Sequence, residues 1–173
     1  RLRASNNTIA GAGTTGDGVC VSHVELPEFY NNVFYLNPGD DLSGLGNNGL
    51  VTARNNLFQS NAGLAFLVNS NNSAANPLFL NALAGDLRLS ASSPGINSGF
   101  NAVPGGLGSF DVGGQTRLVG ADVDRGAHES AISDTVDITV TTVGDSGAGS
   151  LRDAIMQANA TPGFNRIRFN IPG

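Results

Sequence analysis

Paired asparagines recur along the first part of the chain at a nearly constant interval. The segments Asn6-Asn7-Thr8-Ile9, Asn31-Asn32-Val33-Phe34 and Asn55-Asn56-Leu57-Phe58 begin 25 and then 24 residues apart, and Asn76-Pro77-Leu78-Phe79 resembles a degenerate fourth copy. A period between about 20 and 50 residues is typical of proteins built from stacked repeats. The chain is therefore expected to fold as a stack in which each repeat buries its apolar side against the next.

The residues between the asparagines indicate what kind of repeat this is. Before residue 150 no window has apolar residues at helical spacing, which excludes helical repeats, and the dense leucine pattern of leucine-rich repeats is missing. Short apolar runs at 18–21, 33–36 and 64–68 predict strands, and the abundant Asn and Gly supply left-handed turns between them. The predicted fold class is all-β, a parallel β-helix or solenoid.

This register makes specific predictions about stacking. Asn7, Asn32 and Asn56 are expected to lie above one another in a ladder of amide hydrogen bonds. Ile9, Phe34 and Phe58 are expected to stack inside. Cys20, the single cysteine, is expected to pack in the core as a small hydrophobic residue.

A resemblance to a known family begins at residue 76. Bacterial secreted and surface proteins with a right-handed parallel β-helix often end in a fixed order of short motifs, which this chain follows. The motifs are Asn76-Pro77-Leu78-Phe79, Gly85-Asp86-Leu87-Arg88-Leu89, Ser93-Pro94-Gly95-Ile96-Asn97-Ser98-Gly99, Gly114-Gln115-Thr116-Arg117 and Asp124-Arg125-Gly126-Ala127-His128-Glu129. Residues 76–130 thus resemble a C-terminal segment of the choice-of-anchor type. The resemblance implies a right-handed solenoid that is secreted or on the cell surface.

A second resemblance starts at Ile138. Residues 138–155 are similar to the N-terminal opening of the same β-helix class, which is named for a Ser-Leu-Arg-Glu-Ala core and appears here as Ser150-Leu151-Arg152-Asp153-Ala154. This opening normally begins a solenoid, yet here it follows an end segment. The expected organisation is the end of one β-helix at 1–130, a linker at 131–137 and the start of the next at 138–173.

The last segment also has a physical pattern of its own. Ser150 and Asp153 resemble a capping box, and apolar residues at i, i+3, i+4 and i+7 predict a short amphipathic helix at 151–160. Residues 166–171 alternate as in a half-buried strand. Neither element is stable alone, so both are expected to cover the open end of a solenoid. The predicted assembly interface consists of Leu151, Ala154, Ile155, Ala158, Ile167, Phe169 and Ile171 with Leu2 and Ile9.

The linker limits which end this segment can cover. Residues 130–137 reach at most ~26 Å when extended, and five stacked repeats are ~24 Å tall. Folding back onto the first repeat of the same chain therefore leaves no slack. Covering a neighbouring copy, or starting the next solenoid of a longer chain, needs no such reach. The expected partner is self, in a head-to-tail homopolymer or a tandem array.

Composition argues against several other partners. All nine basic residues are arginines, and with 14 acids the formal net charge is −5, which disfavours nucleic acid and anionic membranes. No stretch is apolar enough for membrane insertion. Trp is absent and Tyr occurs twice, so stacking platforms for sugars are scarce, although a carbohydrate partner stays open. No cofactor is indicated.

The acidic residues give weak indications of chemistry. No acid recurs at the repeat interval and no lysine exists to serve as a base, so the catalysis known on β-helices is not expected. Asp40 and Asp41 are weak candidates for calcium, with a solvated turn as the simpler interpretation. Asp122, Asp124, His128 and Glu129 could hold a metal, but ion pairing with an arginine is favoured for them.

The function expected from the sequence is a non-catalytic, extracellular structural or adhesive module that assembles head to tail into a filament or surface array. The alternative is a polysaccharide-binding or polysaccharide-degrading protein, a lyase or hydrolase, because a fold does not fix function.

Overall fold

The computed structural model describes residues 2–11, 15–23, 25–45, 50–62, 64–131, 136–160 and 165–172. The chain divides into two compact units, which we call unit 1 (Arg1–Ala131) and unit 2 (Ile132–Gly173). Each unit is described by itself.

The first half of unit 1 consists of short strands that pair in parallel. They are β1 (Arg3–Ser5), β2 (Thr8–Ala10), β3 (Val19–Ser22), β4 (Glu28–Tyr30), β5 (Val33–Tyr35), β6 (Leu42–Leu45), β7 (Val51–Arg54), β8 (Asn61–Ala62) and β9 (Phe66–Ser70). They form three sheets, with the strand orders β1-β4-β7-β9, β2-β5 and β3-β6-β8. Neighbouring strands pair about one repeat apart, as when Ile9 pairs with Phe34.

The first asparagine of each pair makes the corner between two sheets. Asn6, Asn31, Asn55 and Asn71 have φ angles of 56°, 57°, 56° and 55°, in the left-handed region that Asn tolerates better than most residues. The corners follow strands β1, β4, β7 and β9. The repeated dipeptide therefore sets where the chain changes direction.

The core of unit 1 lies between the three sheets. Its buried side chains are Val21, Phe29, Phe34, Leu42, Val51 and Ala53. Ile9 and Phe58 pack against this cluster, and the rings of Phe34 and Phe58 meet edge to face with centroids 6.5 Å apart. The prediction that Ile9, Phe34 and Phe58 share one core is confirmed. The prediction for Cys20 is wrong, because Val21 takes the inward position of β3 and leaves the thiol exposed.

The second half of unit 1 contains an antiparallel hairpin and a long irregular segment. The hairpin strands are β10 (Phe79–Asn81) and β11 (Asp86–Leu89), joined through a 3₁₀ turn at Ala82–Ala84. The segment 90–131 then covers the asparagine corners. Asn31 exchanges hydrogen bonds of 2.6 and 3.0 Å with the backbone of Phe100, and Asn55 Nδ2 donates to the Ser98 carbonyl at 2.8 Å. A Cβ at Gly99 would lie 2.5 Å from Val123, so this close approach requires glycine.

Unit 2 is a strand–helix–strand unit. Strands β12 (Val136–Val140) and β13 (Asn165–Phe169) pair in parallel, and helix α1 (Leu151–Ala160) connects them. The Asp153 N–H donates to Ser150 Oγ at 3.1 Å, and the Asp153 carboxylate accepts from the Gly149 N–H at 3.1 Å. The expected cap is therefore present. In a standard capping box the carboxylate accepts from the N–H of the N-cap residue, here Ser150, whereas Asp153 accepts from the N–H of Gly149, the residue before Ser150.

The predicted fold class, an all-β right-handed parallel β-helix, is wrong for this chain. The described residues form separate sheets of two to four short strands together with a ten-residue helix, so the class is mixed α/β. The repeat dictates parallel pairing as far as β9, after which the hairpin turns antiparallel and the chain leaves regular structure. Within the described ranges, no helix combines the length and apolar character that crossing a bilayer needs.

Candidate assembly surfaces

The helix of unit 2 divides its predicted interface residues between two faces. Ala154 is buried and Ala158 partly buried, because both pack on the strands of the same unit. Leu151 and Ile155 remain 43% and 45% exposed. The apolar stripe read from the sequence therefore serves two purposes, since its alanines hold the helix to β12 and β13 and its larger side chains face outward.

The predicted strand residues of unit 2 divide in the same way. Ile167 packs against the core formed by Ile138, Val140 and Ala154. Phe169 is 62% exposed and Ile171 lies just beyond the end of β13, also exposed. Four of the seven predicted residues of unit 2 are thus available to a partner: Leu151, Ile155, Phe169 and Ile171.

Sequence reasoning missed a groove beside the helix. A cavity of about 600 Å³ is lined by Val143, Leu151, Ile155 and Met156, with Asp145 and Arg152 at its border. Val143 and Met156 are largely exposed. Met156 lies next to Ile155 on the helix and widens the apolar face beyond the i, i+4 stripe, which is the signal that could have identified it.

The two predicted residues of unit 1 behave differently. Leu2 is exposed, whereas Ile9 is partly buried against its own core. The strands β1, β2 and β3 each lie at an edge of their sheet in the described part of the chain. Unit 1 therefore presents strand edges at this end.

The predicted ladder asparagines form one hydrogen-bonded column. Asn7 donates from its backbone N–H and Nδ2 to Asn32 Oδ1 at 3.1 and 3.0 Å, and Asn32 donates in the same way to Asn56 Oδ1 at 2.9 Å each. Asn56 continues the column to Asn72 Oδ1 at 2.8 and 2.9 Å. The fourth copy is therefore Asn71-Asn72, and the assignment to residue 76 is wrong because the last interval shortens to 16 residues.

Of the two weak calcium candidates, Asp41 has both carboxylate oxygens bonded within the protein. Asp41 is buried, with one carboxylate oxygen accepting from Asn37 Nδ2 at 2.7 Å and the other from the Gln59 N–H at 2.6 Å. The Asp40 N–H donates to Asp17 Oδ1 at 3.0 Å. These contacts tie neighbouring turns together, so the expectation of a solvated turn is wrong for Asp41.

The acids near the end of unit 1 form a buried network with arginine. Asp124 and Glu129 are buried, and Arg117 Nη1 lies 3.8 Å from Glu129 Oε2. Burial, reinforced by the nearby charge of Asp124, raises the pKa of Glu129 to about 7. Arg125 instead donates to the carbonyls of Ser98 and Asn56.

The remaining acid and histidine of that group lie outside the network. Asp122 is exposed and accepts from Asn101 Nδ2 at 2.9 Å, and His128 Nδ1 lies 3.8 Å from Asp111 Oδ2. Among the described residues no group of three potential ligands is close enough to hold a metal ion.

A cleft of about 490 Å³ lies beside the network and is the place where catalysis would be sought. Its polar wall contains Arg88, Asp111, His128 and Glu129. Both oxygens of Asp111 accept backbone N–H groups, from Gln115 at 2.7 Å and Glu129 at 2.8 Å, and Arg88 binds Asp86 with two hydrogen bonds. The Asp111 carboxylate is therefore held by backbone N–H groups, and the Glu129 carboxylate likewise accepts from the N–H groups of Val119 and Asp124.

Unit 1 also exposes leucines that no sequence pattern had indicated as surface residues. Leu36, Leu78 and Leu83 line adjoining cavities of about 280 and 430 Å³ beside the β10–β11 hairpin, and Leu83 at its tip is 97% exposed.

Comparison with protein-family models, with curated proteins and with solved structures finds no match for this chain.

Proposed function

We propose that this chain is a non-catalytic structural or adhesive module that associates head to tail with further units of its own kind. In the association, unit 2 docks on the first strands of the unit 1 that follows, either in a second copy or in tandem. The observation that carries the proposal is the amount of apolar side chain that unit 2 leaves exposed.

Unit 2 is too small to leave so much apolar surface in water without a partner. Its described core contains Ile138, Val140 and Ala154. Its outward side chains include Val143, Leu151, Ile155, Met156 and Phe169. Burying each of these large side chains contributes ~1.5–3 kcal/mol, on the order of 10 kcal/mol together before the cost of ordering is subtracted. That is enough to hold two units together.

The resemblances of residues 76–130 and 138–173 support an extracellular or cell-surface place for the module. They put an end segment before an opening segment in one chain. A heterologous contact of this kind, which does not close on itself, generates a filament or a linear array.

The alternative, a polysaccharide-binding or polysaccharide-degrading protein, has less support. The acids that a lyase or hydrolase would use are held by backbone N–H groups, as with Asp41 and Asp111. Among the described residues, the largely exposed aromatic rings that could stack on a sugar are Phe110 and Phe169.

Association is tested with two matched variants. The full chain is expected to form concentration-dependent oligomers in sedimentation velocity and linear assemblies in negative-stain microscopy. Leu151→Asp with Ile155→Asp is expected to leave monomers, because charges would replace the docking face. Leu83→Asp, at a more exposed leucine of unit 1, is the control and is expected to assemble normally. A dissociation constant of ~1 mM corresponds to a binding free energy of only about 4 kcal/mol. A wild-type chain that stays monomeric up to that concentration would contradict the proposal.

Inertness is tested separately. Purified protein is expected neither to cleave pectate, alginate and similar polymers nor to eliminate from them, with or without calcium. Turnover that disappears on Asp40→Asn, in protein whose circular dichroism is unchanged, would favour the alternative.

A further inference from the structure

We propose that unit 1 binds an acidic peptide at the ends of strands β7 and β9, through Arg54, Ser70 and Asn71. The inference goes beyond the head-to-tail association and does not depend on it. Arg54 is the last residue of β7, Ser70 is the last residue of β9, and Asn71 follows it. Their side chains supply a guanidinium, a hydroxyl and an amide that form no hydrogen bond with the described residues.

Arg54 differs from most arginines of the chain because it has no carboxylate partner among the described residues. An ion pair with Asp or Glu, at 2.6–3.8 Å, is made by Arg3, Arg88, Arg117, Arg152, Arg166 and Arg168. Arg125, the other exception, is buried and donates to the carbonyls of Ser98 and Asn56. In the described part of the chain, Arg54 is therefore the partly exposed arginine whose charge is left unpaired, and a carboxylate is the partner that it lacks.

The guanidinium of Arg54 is held in place on the outer face of its sheet. Its neighbour Ala53 is buried in the core of unit 1, and side chains alternate along a strand, so Arg54 points away from that core. Its Cζ lies 4.7 Å from the centroid of the Phe100 ring, a cation–π contact. Nε is buried without a hydrogen bond, whereas the two Nη atoms are neither buried nor bonded to the described residues. The Nη end is therefore fixed in position and open to a ligand.

Ser70 and Asn71 lie beside this guanidinium on the neighbouring strand. Ser70 is directly opposite Arg54, and β9 is the edge strand of the sheet in the described residues. Adjacent strands are ~4.8 Å apart, and opposite residues point to the same face. Asn71 makes the corner after β9 with a φ angle of 55°, and its side chain is exposed. A guanidinium, a hydroxyl and an amide are thus grouped at one place on the surface.

The preceding corner asparagines indicate what Asn71 can bind. Asn31 Oδ1 accepts from the Phe100 N–H at 2.6 Å, and its Nδ2 donates to the Phe100 carbonyl at 3.0 Å. Asn55 Nδ2 donates to the Ser98 carbonyl at 2.8 Å. The φ angle of Asn71 is within two degrees of theirs. Each of these corners binds the backbone of an irregular segment, so the uncovered amide of Asn71 is suited to the backbone of a further segment.

Together the three groups fit an acidic residue in an extended peptide. The guanidinium fork matches a carboxylate with two parallel hydrogen bonds, and the Ser70 hydroxyl can donate a third. The Asn71 amide can bind the backbone beside that carboxylate. A sugar acid would offer the carboxylate but no peptide group, so the precedent of Asn31 and Asn55 favours a peptide. The site thus gives the proposed adhesive module an acidic polypeptide as its partner.

Isothermal titration calorimetry of the full wild-type chain tests the chemistry of the ligand. The probe is a short acetylated peptide of alternating Gly and Asp, and the matched peptide has Asn in place of Asp. We expect the Asp peptide to bind, and the Asn peptide to bind roughly tenfold more weakly, because hydrogen bonds between two charged groups are about twice as strong as neutral ones.

Substitutions test the residues of the site with the same Asp peptide. Arg54→Gln is expected to weaken binding roughly tenfold, and Asn71→Ala about threefold. Arg88→Gln removes an exposed arginine that is already paired with Asp86, so this control is expected to bind as the wild type does. Far-UV circular dichroism verifies the fold of each variant. Because Asn71 is exposed, Asn71→Ala keeps the test decisive if Arg54→Gln does not fold.

The outcomes separate this inference from the proposed function. Equal affinities for the Asp and Asn peptides, or equal losses from Arg54→Gln and Arg88→Gln, would overturn the site. Tighter binding of a uronic acid oligomer than of the Asp peptide would identify a sugar ligand and overturn the peptide. Self-association that is lost on Arg54→Gln would assign the carboxylate to a second copy, against a separate partner. Peptide binding by a wild-type chain that stays monomeric would support this inference and contradict only the head-to-tail association.

Discussion

The two units of this chain satisfy their buried groups in opposite ways. Unit 1 buries polar side chains in number, including Asn31, Asn32, Asn56 and Asp124, and pairs them inside the unit. Unit 2 buries three hydrophobic side chains in its described core and leaves larger ones in water. From this difference we expect unit 1 to be stable by itself and unit 2 to gain stability in the proposed association.

The largest expected effect comes from separating the units. We expect a fragment of residues 1–131 to unfold cooperatively on its own, because its core and hydrogen bonds are internal. A fragment of residues 132–173 is expected to lack stable structure, since a chain this short rarely builds a sufficient core. Urea denaturation followed by circular dichroism measures both. A cooperative transition in the shorter fragment would remove the distinction between the units.

Within unit 1, the next largest effect is expected at the asparagine column. Asn32 is fully buried, accepts two hydrogen bonds from Asn7 and donates to the Ala4 carbonyl and to Asn56. Asn32→Ala leaves several buried partners unsatisfied and is expected to lower the free energy of unfolding by ~3–5 kcal/mol. Chemical denaturation measures the change.

The matched control for the column is Asn76, which the repeat pattern alone would have placed there. Its side chain accepts a single local hydrogen bond from the Leu78 N–H at 2.9 Å and is exposed. Asn76→Ala is expected to cost less than ~1 kcal/mol. Equal losses for Asn32→Ala and Asn76→Ala would mean that the column contributes nothing beyond turn formation.

Unit 1 is also expected to lose stability as pH rises toward neutrality. The pKa of Glu129 is about 7 in the folded protein and near 4.5 in the unfolded chain, so between these values the folded state binds more protons. The contribution of Glu129 is therefore complete below pH ~4.5 and is lost as pH rises through ~7, a change of roughly 1–3 kcal/mol. Glu129→Gln is expected to flatten thermal stability between pH 5 and 8.

The stability of unit 2 is expected to depend on pH in the opposite direction. Its Asp137 has a lowered pKa because of Arg166, so its contribution is present at neutral pH and is lost only as pH falls through the acid range. Amide hydrogen exchange, read unit by unit at pH 5 and pH 8 with correction for intrinsic rates, separates the two behaviours. A stability of unit 1 that does not change across this range would contradict the assignment to Glu129.

The smallest effect is expected at the surface pair of unit 2. Arg166 and Asp137 side chains are 50% and 43% exposed, so water and salt screen their attraction. Arg166→Ala in monomeric protein is expected to change stability by less than ~1 kcal/mol, and less at high salt. A larger loss in thermal denaturation would mean that unit 2 holds itself together by charge.

The sequence predicted local features where a single chemical requirement fixed a residue type. The corners need a left-handed residue, so the asparagine pairs and their interval revealed the parallel pairing of β1 with β4 and of β2 with β5. The capping residue Ser150 likewise predicted the start of helix α1. Helical spacing also identified Leu151 and Ile155 as interface candidates, and both are exposed.

What escaped prediction depends on contacts between distant segments. Asn72 entered the column at a shorter interval than its predecessors, because β9 follows β7 through a shorter connection. The hydrogen bond from the Phe100 N–H to Asn31 joins residues that are 69 apart in the chain, and no repeat in the sequence predicts this contact. The fold class failed for the same reason, since a local repeat carries no information about the hairpin and irregular segment that follow it.

The asparagine column has a direction. The Nδ2 groups of Asn7, Asn32 and Asn56 each donate to the Oδ1 of the next member, and Asn72 ends the column by donating to the Ala53 carbonyl and to Asn69 Oδ1. The amide dipoles therefore add, as peptide dipoles add along a helix, with the negative end at Asn7 and the positive end at Asn72. Each bond polarises the next, so an amide in the middle of the column is worth more than one at its end. The two ends of the column are consequently not equivalent, and the Asn7 end is the one that attracts a hydrogen-bond donor.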